Sequence, residues 1–110
     1  LRDEERQARL TTRDQGYSVA AYAKRGKSAL YATEQSSKPL DLMEAIRFAA
    51  LRYNGAAKIW LDRLAQVSTD EVGAVFQQLP SGRITDASSE FAQRLLEFNR
   101  QRLLTLRKEL

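Results

Sequence analysis

The chain has no histidine and no cysteine in 110 residues. Those two side chains supply most general bases near neutral pH, most zinc ligands and most thiol nucleophiles. Their absence excludes self-contained histidine-, thiol- or metal-based catalysis. Acidic residues are present, but they lie singly along helical segments and do not gather in a candidate cleft. With two prolines and five glycines the chain is not loop-rich or all-β. No apolar run approaches the ~20 residues that a membrane-spanning helix needs. The densely charged first ten residues do not form a signal peptide. A cysteine-free chain without a leader pattern is compatible with a reducing, cytoplasmic compartment. Since the sequence opens on leucine, it reads as a piece of something longer.

What is present is helix-forming: alanine, leucine, glutamine, arginine and glutamate dominate. The apolar fraction of 43% is ordinary for a globular domain, and 110 residues suffice for one modest core. The formal net charge of +4 permits an acidic or nucleic-acid partner without requiring one. Residues 1–14 balance four arginines against four acids, which reads as a charged arm or a peripheral helix over 1–16. Residues 17–110 then form a single helical domain.

Within that domain the spacing predicts helices near 18–35, 41–54, 56–67, 69–79 and 86–108. Ser18 N-caps the first, whose stripe of Val19, Tyr22, Ala23, Gly26, Leu30 and Thr33 is thin. A break at Gly26 is the alternative to a continuous helix. Asp41 caps the second through the amide of Glu44, and Asn54-Gly55 suits its end or a kink. Ser68 and Glu71 form a capping box, with Val67 and Val72 as a hydrophobic staple. Pro80-Ser81-Gly82 stops the fourth helix, and Thr85 or Asp86 starts the long amphipathic fifth. The expected fold is therefore an all-α compact bundle of four to five helices. Its expected core is Ile46, Trp60, Leu64, Phe76, Phe91, Leu95 and Phe98, with Trp60 as a buried anchor; an exposed Trp60 would instead mark a partner interface.

Three sets of residues bear on function. Lys24, Arg25 and Lys27 lie beside Tyr22 and Tyr31, where cations and aromatics together suit phosphates and bases; a solvated helix face is the commoner reason for such a cluster. Gly26-Lys27-Ser28 ends like a phosphate-binding loop but lacks the first glycine and the preceding strand. Arg100, Arg107 and Lys108, with Arg94 and Arg102, make the last helix basic, although Glu97 and Glu109 offer local pairing. A helix-turn-helix around Asn54-Gly55 would leave Lys58, Arg63 and Gln66 to read bases, which is thin support. Finally, the last helix has apolar residues at 95, 96, 98, 103, 104, 106 and 110, too wide a spread for one contact face. Leu96, Leu104 and Leu110 are the expected contacts with a second chain.

Two stretches resemble a known family. Ala23-Lys24-Arg25-Gly26-Lys27-Ser28-Ala29-Leu30-Tyr31 is similar to a basic segment in the helical C-terminal lobe of HipA-like serine/threonine kinase toxins. Leu79-Pro80 and the helix after it look like the tail of that lobe. The resemblance implies that these residues are the helical end of a larger kinase, whose ATP-binding loop, catalytic aspartate and metal-binding aspartate lie elsewhere. No catalytic residue carries over to this chain. The functional expectation is thus a non-enzymatic helical interaction or regulatory module without a cofactor, partnered by another protein or by itself. Nucleic-acid binding and the kinase tail are the alternatives.

Overall fold

A computed structural model describes residues 1–110 and is all-α with a long final helix. The helices are α1 (Asp3–Thr11), α2 (Val19–Lys24), α3 (Leu42–Arg52), α4 (Asn54–Ala65), α5 (Thr69–Gln77) and α6 (Asp86–Arg107), with a single 3-10 turn at Gln15–Tyr17. There are six α-helices, one more than the upper expectation, because the charged N-terminal segment is itself helical. Each of the first five packs on α6, so the 22-residue final helix is the axis of the molecule.

Helix starts follow the local chemistry. Ser18, Asp41, Ser68 and Thr85 each accept a hydrogen bond from the backbone amide three residues on. Asp41–Glu44 and Ser68–Glu71 are complete capping boxes, in which the glutamate also accepts from the cap residue's own amide. After α5 the chain turns at Gly82, whose φ of 86° lies in the left-handed region that a side chain disfavours.

Three expectations are corrected. The helix expected to run to residue 35 ends at Lys24. Beyond it, the Ser28 amide and hydroxyl both donate to the Leu40 carbonyl (2.9 and 2.7 Å), and the Leu40 amide donates to Leu30 (2.8 Å). These long-range bonds replace the helical ladder. Gly26 permits the crossing, since a Cβ there would stand 2.5 Å from the Leu42 Cδ1.

The second concerns the N-terminal segment, which of the two expected forms, arm or peripheral helix, is the helix, but one packed into the core. Leu10 of α1 is buried with Val19 and Phe91, flanked by Tyr22 and Leu95. Tyr22 meets Phe91 edge-on, with ring centroids 5.3 Å apart.

The third concerns the core. Phe91 is buried as expected and Leu95 packs beside it. Leu64, Phe76 and Phe98 are only half-buried, while Ile46 and Trp60 are exposed. Leu10, Val19, Ala23, Ala50, Leu61 and Leu106 hold the interior instead. The rotation of α4 explains the exchange between neighbours: Leu61 turns toward α6 and leaves Trp60 outside.

Candidate interaction surface

The apolar surface that stands out belongs to the α3–α4 pair. Tyr53 joins the two helices with φ −115° and ψ 55°, a non-helical joint that redirects the chain without a loop. Between the helices lies an open hollow of about 330 Å³ lined only by apolar residues. Ala49, Ala56 and Ala57 keep it shallow, Leu61 and Leu106 form its base, and Ile46, Tyr53 and Trp60 stand around it. Leu106 is 2% exposed, whereas Trp60 is 65% exposed. On the other side of α3, Phe48 and Leu51 are exposed too. They stand among Glu44, Arg47 and Arg52 on the otherwise polar side of the helix.

The charges around this surface divide into committed and free. Arg107 grips Asp62 with a two-pronged contact (2.8 and 3.3 Å), and Arg47 donates to Glu109 at 2.9 Å. The Arg107 hydrogen bonds hold the Asp62 carboxyl below the usual carboxylate range, and the same contact raises the Arg107 guanidinium. Arg63 lies over the Trp60 ring at 4.9 Å and Arg52 over Tyr53 at 5.8 Å, neither with a carboxylate partner. The exposed aromatics are therefore edged by cations.

A second hollow, about 380 Å³, runs along α6 beside the start of α5 and has no apolar lining. Two of its three carboxylates are already engaged, Glu90 with Arg94, and Glu97 with Gln101, Thr69 and Arg100. Nowhere do three or more acidic side chains come together in a metal-binding group. No helix is long and apolar enough to cross a membrane.

The fold distributes the basic residues singled out by sequence. Lys24 sits 5.9 Å above the Phe98 ring, and Arg25 edges a small hollow with Gly26 and Leu42. Lys27 pairs by backbone with Asp41, and Lys108 is exposed at the end of α6. Arg100 is spent internally, donating to Glu97 and to the Ala65 carbonyl, as Arg107 is on Asp62. Among the apolar candidates, Leu96 is exposed beside Leu64 and Val72, and Leu104 and Leu110 are half-buried.

Residue patterns offered Trp60 as an interface residue only if exposed, and missed the rest of the α3–α4 face. The signal that could have found it was the placing of Phe48 and Leu51 among Glu44, Arg47 and Arg52, off the stripe of Leu42, Ile46, Ala49, Ala50 and Tyr53. Comparisons with protein-family models, with curated proteins and with solved structures find no match to this chain.

Proposed function

We propose that this chain is a helical interaction module whose working surface is the α3–α4 face around Trp60. The observation that carries this reading is the exposed indole standing over an alanine-lined apolar hollow. Contiguous apolar patches beyond a few hundred Å² are uncommon on free-standing monomers and mark sites that another molecule covers. Trp, Tyr and Arg are also the residues that most often dominate binding energy, and Trp60, Tyr53, Arg63 and Arg52 adjoin here. Chemistry of its own is not part of this reading, and neither is a cofactor.

The test is site-specific photo-crosslinking in cells producing the chain. A photoreactive phenylalanine replaces Tyr53, and as a control it replaces Gln7, which is exposed on α1. A discrete adduct from position 53, absent from position 7, is the expected result. Equal labelling at both positions, or none at either, overturns the reading.

A further inference from the structure

We infer that the occupant of the α3–α4 face is a second copy of this chain, docked about a two-fold axis so that each Trp60 enters the other's alanine-lined hollow. The inference rests on the interaction-module reading and names its partner.

The exposed area is larger than a free-standing chain of this size shows. A folded monomer of 12.5 kDa exposes about 6,200 Å² by the scaling of compact proteins. This chain exposes 8143 Å², an excess of roughly 2,000 Å² over that scaling. Standard complexes bury ~800 Å² per partner, and obligate homodimers bury upwards of ~1,000 Å². The excess, summed over the whole chain, is of the size that an obligate dimer removes, and seven of the fourteen large apolar residues that are exposed lie on α3, α4 or their joint. The radius of gyration agrees: 16.2 Å against about 13 Å for a compact chain of this length.

The face is also self-complementary. A two-fold interface places one patch against itself, so the patch must carry both the protrusion and the recess that receives it. Trp60 projects from the same surface that Ala49, Ala56 and Ala57 keep low. Small residues let facing helices approach closely, and an indole filling the recess reciprocally gives two buried anchors for one symmetric contact.

Charge sets the sign of the salt response. The unpaired cations at the edge, Arg52 and Arg63, belong to both copies and repel across the axis, as does the net charge of +4 on each chain. Salt screens that repulsion and leaves apolar burial intact. Dimerisation should tighten as salt rises, whereas an acidic protein or a nucleic acid on the same cations would be released.

The experiment is sedimentation of the purified chain across a concentration series, with fluorescence of its single tryptophan read in parallel. The expected result is a doubling of the 12.5 kDa mass, accompanied by a blue shift of the Trp60 emission and strengthened by salt. Trp60→Ala should weaken association by about 30-fold or more. Ala56→Arg, at an exposed helical position that tolerates arginine, should do the same with an unchanged far-UV spectrum. A chain that stays monomeric at every concentration overturns the inference. If that monomer still yields an adduct from position 53 with a different protein in cells, self-association falls and the interaction surface stands. With no adduct either, both fall.

Discussion

Arg9 is the one charged side chain withdrawn from solvent, at 5% exposure. Its guanidinium stacks over Tyr17 at 4.1 Å and faces Tyr22 at 5.2 Å. It donates to the Tyr17 and Ser18 carbonyls at 3.3 and 3.4 Å, and Glu5 stands 3.9 Å away. Burying a cation is costly unless such partners surround it. The planar fork, weakly hydrated and able to stack on a ring, suits this place better than an ammonium would. Arg9→Ala should therefore destabilise the fold by about 2–4 kcal/mol in urea unfolding, by loss of charged hydrogen bonds and ring stacking together. Arg9→Lys should recover only part of that. Trp60 is the opposite case: large, apolar and outside. Under conditions where the chain is monomeric, Trp60→Ala should change stability by no more than about 0.5 kcal/mol, as for other surface positions. A loss of several kcal/mol would mean that the indole supports the monomer's own core.

Helix boundaries were legible wherever a side chain could satisfy the backbone locally. Ser68 and Glu71 close the first turn of α5 without help from any other element, and Asp41 and Glu44 do the same for α3. Ser68→Ala should cost about 1 kcal/mol, measured as a lower urea midpoint with an unchanged slope. The early end of α2 has a different origin. Nothing around Arg25 forbids a helix, but Leu40 and Leu42 bond across to Ser28, Leu30 and Gly26, and a helix over 26–35 would forfeit those bonds. The Asn54-Gly55 pair shows the same ambiguity from the other side. It suits a helix end, yet Asn54 opens α4 because the bend falls one residue earlier, at Tyr53.

Across the whole molecule, two of the carboxylates held below their ordinary range are tied down by α6 or lie on it, while Asp3 of α1 is lowered by Thr85 first and then by Arg6. Asp62 of α4 is held below its ordinary range by hydrogen bonds from Arg107. Glu97 of α6 is lowered by the Gln101 amide first, then by the Thr69 hydroxyl and Arg100. A lowered folded-state pKa means that the unfolded chain takes up protons first as pH falls. The stability these contacts supply is fully present above the ordinary carboxylate range and is lost as pH drops through the folded-state values. The chain has no histidine, so no side chain has an ordinary pKa between about 5 and 8. At fixed protein concentration, the thermal midpoint should be flat from about pH 5.5 to 8 and fall below about pH 4.5. Asp62→Asn should make that fall shallower. A midpoint that rose on acidification would reverse the assigned sign.

From the sequence by itself followed the all-α class, the long final helix, and the starts of α2, α3, α5 and α6, because caps and 3.6-residue periodicity act within one turn of the chain. Tertiary structure alone decided which side of α3 and of α4 faces inward. On α4 the apolar stripe includes both Trp60 and Leu61, and periodicity cannot choose between neighbours on a wide stripe. Contact with α6 chose Leu61, since the neighbours of α4, α3 and α6, leave the Trp60 side of the helix uncovered. The same limit applies to the basic residues. Adjacency in sequence grouped Arg107 with Lys108, yet Arg107 is consumed by Asp62, 45 residues away, while Lys108 stays exposed. A charge is free or spent according to what the fold brings beside it, and local spacing carries no record of that.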